Sequence, residues 1–311
     1  RTEKAFLQKN YDLVYNDAHS LLLDNDLSIT NLECPLTKYQ NPISKSGPNL
    51  MADPETILGI KYGGFNVVTL ANNHIYDQGK TGLNDTINIC KQHEIHTVGA
   101  GSNLHEASKP LIVEIKDKKI AILNFAESEF GIASKNKPGA NPLDPISNYY
   151  YIQEAKSKAD YVFVIIHGGH ENYSLPSPRM KKTYRFFAEL GVSAVIGHHT
   201  HCASGFEIYK NVPVFYSVGN FIFDWPDRKE ASWNKGFFII FDINEIGKLK
   251  FDLVPYHQNN SEPGLKLMQD TKKEHFLNKL DILSTIISND KKLESEWNKF
   301  SKTRGDGYFH R

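Results

Sequence analysis

Three apolar runs of strand length each end in a cluster of asparagine or histidine, and this repeated punctuation constrains the fold more than any other feature of the chain. Phe65 to Leu70 leads into Ala71-Asn72-Asn73-His74, Tyr161 to Ile166 into His167-Gly168-Gly169-His170-Glu171, and Val192 to Ile196 into Gly197-His198-His199-Thr200-His201. Two further runs end in polar groups: Leu27 to Thr30 before Asn31-Leu32-Glu33-Cys34-Pro35, and Val212 to Val218 before Gly219-Asn220-Phe221. In open α/β sheets ligands bind beyond the carboxyl ends of parallel strands. The five strand ends are therefore expected to deliver Glu, Asn and His side chains to one rim.

Helical patterns alternate with these runs, the arrangement of a layered α/β fold. Leu83, Ile87 and Cys90 repeat at helical spacing between Lys80 and Glu94. Ser177-Pro178 starts a second helix that Gly191 stops. A shorter helix around Ala155 to Ala159 precedes the Tyr161 run. After residue 235 the pattern becomes Phe237 to Ile243, Gly247, then Leu249 to Tyr256, which reads as an antiparallel hairpin. The division expected is a domain over 1–261 and a helical appendage over 262–311, with Phe276, Leu280, Leu283 and Ile287 at helical spacing on the appendage. The tripeptide Arg304-Gly305-Asp306 carries too little information to signify a motif.

Six of the thirteen histidines fall in the three clusters. Crowded imidazoles repel one another when protonated, whereas neutral imidazole is a favoured ligand for zinc, iron, manganese or copper. A solvated His-rich loop is the alternative for the Gly197 to His201 motif taken alone. A lone polar residue at a strand end, such as Glu33 or Asn220, is more often a turn former.

Taken together, Asn31 to Thr37, Ala71 to Gly79 with Gly82-Leu83, His167 to Glu171, Ile196 to His201 and Tyr216 to Asp224 resemble the CapA-like family of capsule and poly-γ-glutamate synthesis proteins, a branch of the calcineurin-like metallophosphoesterase superfamily. The likeness covers most of residues 20 to 257. It implies a four-layer α/β/β/α sandwich with two divalent transition metals (Mn, Fe or Zn). It implies Glu33 as a bridging ligand, Asn73 and His167 on one metal, His199 and His201 closing the site, and His74 near the leaving group. His198, with Asp77, His170, Glu171 and Asn220, then stands behind the ligands or contacts substrate. Asp77 and Glu171 orient His170, His74 or substrate, or simply cap their loops. The family's opening strand, ending in a ligand-bearing Gly-Asp, has no counterpart before Glu33. Because residue 1 is not Met, a segment ahead of it is expected to carry that strand and any signal or anchor.

At 40% hydrophobic and 23% charged residues the composition is that of a globular protein. A formal net charge of +0 gives no general reason to expect nucleic acid as a partner. Cys34, Cys90 and Cys202, an odd number without CxxC spacing, argue against a disulfide framework and fit a cytoplasmic setting. No apolar stretch reaches 18 residues, so no membrane span is expected in this chain. Substrate contacts are sought in residues 134 to 145 and in Trp225, Trp233 and Tyr149 to Tyr151. The expected function is a metal-dependent hydrolase, a phosphoesterase in envelope-polymer metabolism, acting on a phosphorylated or polymeric substrate and alongside polymer-synthesis proteins. Two alternatives are an accessory protein of polymer assembly and an amide or glycan hydrolase.

Overall fold

A computed structural model describes residues 1–223, 225, 232–244, 247–258 and 263–304 of the chain. Asp224, the 261/262 boundary and Gly305-Asp306 lie outside the described residues. The fold is mixed α/β. Strands β1 (Ile29–Asn31), β2 (Val67–Thr69) and β3 (His96–Val98) form a parallel sheet in that order. β4 (Ala100–Gly101) pairs with β7 (Gly139–Ala140) in a short second sheet. The main sheet joins β5 (Leu111–Ile115), β6 (Lys118–Ala126), β8 (Tyr161–His167), β9 (Ala194–His198), β10 (Phe206–Tyr209) and β11 (Val212–Phe215) in the order β10-β11-β9-β8-β6-β5. Its four central strands are parallel and its two edges antiparallel. A fourth sheet is antiparallel: β12 (Lys235–Ile243), β13 (Leu249–Gln258) and β14 (Leu265–Leu267).

The central strands are apolar throughout because both faces are covered. Alternate residues divide between two cores. Ala121, Leu123, Val162, Val164 and Ile166 meet Ile152, Tyr184 and Phe187 from the helices Pro145–Lys156 and Pro178–Glu189. Ile120, Ile122, Phe163 and Ile165 instead meet Phe237, Phe241 and Phe251 of the β12–β13 hairpin. A further core joins Val68 to the N-terminal helices through Phe6, Val14 and Tyr15, and to helix Gly79–Gln92 through Leu83 and Cys90.

Asn124 of β6 stitches the two parallel sheets together. Its Oδ1 accepts from Ala71 N at 2.6 Å and its Nδ2 donates to Ile165 O at 3.1 Å, so the segment after β2 is held beside the end of β8. The approach is close enough to require Gly99, at φ +94°, where a Cβ would stand 2.2 Å from Asn124 Oδ1.

The helix expected around Ala155 to Ala159 is longer, Pro145–Lys156, and ends before Ala159. Asp144 caps it by accepting from Ile146 N at 3.2 Å, with proline in the first turn. The segment Ile146 to Tyr151 lacks an apolar stripe, and Ile146 and Tyr150 are exposed. Periodicity therefore could not reveal it.

Helix Asp270–Ser288 buries Phe276 and Leu280 in the core with Phe237. Ile287, and Leu293 of helix Asp290–Arg304, enter the core with Tyr184 and Phe187. The buried ammonium of Lys181 fixes this junction, donating to Ile287 O and, at 2.6 Å, to Asp290 Oδ1. Leu280 is 1% exposed, so Leu280→Ala is expected to cost about 2–5 kcal/mol. A urea titration showing a loss below about 1 kcal/mol would mean that this helix is not part of the core. No helix among the described residues is long and apolar enough to cross a membrane.

Candidate metal centre

Four of the expected ligands converge at the ends of β1, β2, β8 and β9. His167 Nε2 lies 3.0 Å from Asn73 Oδ1, 3.0 Å from His199 Nδ1 and 3.5 Å from Glu33 Oε1. Ligand atoms of Glu33, His167 and His199 all fall within 4.8 Å of one another. Ligands about 2.1 Å from a cation at tetrahedral angles stand about 3.4 Å apart, so the spacing and donor types suit a transition metal. His201 lies at the margin, its Nε2 3.9 Å from Glu33 Oε1 and its Nδ1 2.9 Å from Asn220 Oδ1.

Local structure explains the aim of these groups. Asn72 Oδ1 accepts from His74 N at 3.1 Å and Ile75 N at 2.8 Å, a side-chain turn that throws Asn73 and His74 outward. Asn72 Nδ2 also donates to Leu32 O at 2.9 Å, tying that turn to the Glu33 segment. Asn31 Nδ2 donates to Glu33 Oε2 at 3.2 Å, which leaves Oε1 buried without a hydrogen bond. His199 and His201 occupy left-handed backbone, φ +95° and +57°. For residues with a Cβ this geometry costs about 1–3 kcal/mol and persists where surrounding structure imposes it.

His74 stands beside the cluster. Its Nδ1 is 2.7 Å from Asp77 Oδ2 and 3.1 Å from Lys45 Nζ. Lys45 also pairs with Asp77 Oδ1 and donates to Asn73 O at 3.3 Å. Asp77 Oδ2 accepts from Leu50 N at 2.6 Å, so the 38–50 segment closes over this side of the site. Asp77 thus faces His74 and not His170. The His170 ring packs against Trp297 and Phe300 of the last helix, at 4.9 and 5.9 Å between centroids. His198 pairs with His167 across β8 and β9. Trp233, a candidate for substrate stacking, is 4% exposed, packs 4.5 Å from the His201 ring and offers its carbonyl to Asn220 Nδ2 at 3.1 Å. Tyr149 and Tyr150 stand exposed on their helix.

Two groups at the site were not anticipated. Lys45 sits in a serine- and glycine-rich stretch with no distinguishing pattern, and Glu129, whose Oε1 is 3.4 Å from His199 Nε2, follows β6 in an irregular segment. Asn31 and Asn72 lay within the motifs already noted.

The cluster is electrostatically tense. Burial pushes the Glu33 carboxyl up to about 8; Glu171, Glu129 and Asp77 add to the rise and His199 opposes it. Burial holds His167 well below the usual imidazole range, with His199, His198, His201 and His74 acting in the same direction, and burial pushes His198 down to about 4. His199 goes the other way: burial lowers it, but Glu129, then Glu33 and Glu171, bring it up to about 9. A buried carboxylate oxygen without a partner, facing imidazole nitrogens, is an arrangement that a cation would satisfy.

The mixed α/β fold and this rim of strand ends agree with the metallophosphoesterase-like superfamily, to which the CapA capsule biosynthesis proteins belong. Within it, the chain belongs to the bacterial capsule synthesis protein PGA_cap family, whose model matches residues 1–225. It is similar to the capsule biosynthesis protein CapA of Bacillus anthracis, 31% identical over 263 residues covering 81% of this chain and 63% of that protein. The PGA biosynthesis protein CapA of Bacillus subtilis (strain 168) is 30% identical over 268 residues, covering 84% of this chain and 69% of that protein. A probable polyglutamine synthesis accessory protein of Mycobacterium tuberculosis is 25% identical over 214 residues, covering 64% of this chain and 56% of that protein. The chain therefore spans less than two thirds of the Bacillus anthracis relative's length.

Proposed function

We propose that this protein is a metal-dependent hydrolase, a phosphoesterase, serving capsule or poly-γ-glutamate metabolism, and that its sheets are layered as a four-layer sandwich. One observation carries the reading: the unpartnered Glu33 Oε1 buried against His167 Nε2, with Asn73 Oδ1 and His199 Nδ1 converging on that nitrogen. Glu33, Asn73, His167 and His199 would hold one divalent cation of the manganese, iron or zinc kind. His201 and Glu33 would contribute to a second. Such a cation supplies Lewis acidity at a phosphoryl oxygen and acidifies water.

The remaining work falls to the chain. Asp77 accepts from His74 Nδ1, so a proton passed to the leaving oxygen would come from Nε2 of the doubly protonated ring, which returns to the neutral Nδ1–H form. The buried Lys45 holds Asp77 in place. Asn220 and Trp233 fix the His201 ring.

The test is elemental analysis of purified protein followed by assay on generic aryl phosphate monoesters and diesters. Near-stoichiometric metal with metal-dependent turnover is expected; no bound metal after reconstitution with manganese, zinc or iron would sink the reading. A second reading, a metal-holding but non-catalytic accessory protein, is favoured by the accessory role that the Mycobacterium tuberculosis relative's name states. Stoichiometric metal without turnover of phosphate, amide or glycan substrates would support it.

A pH effect follows from the same site. With Glu33 up to about 8 and His199 up to about 9, both hold protons at neutral pH before a cation enters. Those protons must leave on binding, so affinity rises with pH through this range. Calorimetry of cation binding at pH 7 in two buffers of different ionisation enthalpy is expected to show net proton release. Buffer-independent heats at pH 7 would contradict it.

A further inference from the structure

We infer that Glu129 is a positioning residue that fixes the tautomer of His199, leaving Nδ1 bare toward the ligand cluster. The inference rests on the metal-site reading above and assigns a role to a side chain outside the expected ligand set.

The two ring nitrogens of His199 face different neighbours. Nδ1 points at His167 Nε2, 3.0 Å away, where Asn73 Oδ1 and Glu33 Oε1 also gather. Nε2 points the other way, 3.4 Å from Glu129 Oε1. A carboxylate only accepts hydrogen bonds, so the nitrogen facing it carries the hydrogen. A neutral imidazole has one N–H. With that hydrogen on Nε2, the Nδ1 lone pair is available to a cation. Without Glu129, the opposite tautomer can donate from Nδ1 to His167 Nε2, a hydrogen bond that occupies the facing nitrogen of both rings and must be broken before a cation binds.

The surroundings make this orientation worth fixing. His199 is almost wholly buried and sits at φ +95°, so its ring is held by a strained backbone rather than by a regular strand. Glu129 approaches from the solvent side, its side chain 38% exposed against 4% for His199. Its loop is set by Gly131, at φ +66°, where a Cβ would stand 2.3 Å from Tyr76 Cβ. A carboxylate bonded to the far nitrogen of a metal-binding histidine typically strengthens metal binding about 10- to 100-fold.

The experiment compares wild type, Glu129→Gln and Glu129→Asp in the full chain. Cobalt(II) titrations followed by absorption, and ¹⁵N chemical shifts of the His199 ring in metal-free protein at a pH above about 9, where the ring is neutral, are the readouts. In wild type the ring is expected as the Nε2–H form. In Glu129→Gln the tautomers are expected to mix and the cobalt Kd to weaken about 10- to 100-fold at unchanged stoichiometry, with Glu129→Asp recovering part of the loss. An unchanged tautomer and unchanged Kd in Glu129→Gln would overturn the inference. A drop in stoichiometry or displaced ligand-field bands would overturn it too, because Glu129 would then bind metal directly. If wild type binds no cobalt, the proposed function fails, and the ring ¹⁵N shifts still decide the role of Glu129.

Discussion

His74→Ala is expected to lower metal-dependent turnover about 10²- to 10⁴-fold, the usual loss when a positioned proton donor is removed, while leaving bound metal near the wild-type level. The geometry separates the two roles. Asn73 Oδ1 is within 3.0 Å of His167 Nε2 in the ligand cluster, whereas His74 Nδ1 is engaged by Asp77 Oδ2 at 2.7 Å. His167→Ala is the contrasting variant, in which metal and turnover are expected to fall together. Elemental analysis beside a steady-state assay checks both. Loss of metal in His74→Ala would mean that His74, and not Asn73, binds the cation.

Lys45→Met is expected to destabilise the fold by about 3–5 kcal/mol, because it leaves a buried carboxylate without its counter-charge. The Lys45 and Asp77 side chains are 1% and 0% exposed, and Asp77 additionally anchors Leu50 N. The double variant Lys45→Met with Asp77→Asn removes both charges and is expected to recover much of the loss. Guanidinium titrations of the single and double variants measure the coupling. Equal stability of Lys45→Met and wild type would show that the pair is not closed in solution.

The convergence of Glu33, Asn73, His167 and His199 was legible in the sequence because each stands at or just beyond the end of a strand. Asn73-His74, His167 and His198 to His201 each follow an apolar run that could hardly be anything but a buried strand, and a parallel sheet sends such ends to one edge. His170 shows the limit of that reasoning. It lies three residues beyond His167 in the same motif, but Gly168 and Gly169 intervene, and its ring packs on Trp297 and Phe300 of a helix more than a hundred residues later. Trp233 likewise serves to pack His201, a use that side-chain type cannot distinguish from stacking on a ligand.

The sequence by itself determined the α/β class, the identity of the rim residues and the hairpin of β12 and β13, since these depend on periods of two or 3.6 residues and on turn chemistry that are local. Tertiary structure alone decided which groups surround the proposed ligands. Glu129 meets His199 across seventy residues, and Lys45 meets Asp77 across thirty-two, from loops whose composition matches any solvated surface segment. Helix Pro145–Lys156 was set by a cap and by packing of Ile152 and Ala155, without an apolar stripe to announce it. Burial and the pairing of distant charges depend on how sheets and loops close on one another, and no local pattern in the chain carries that information.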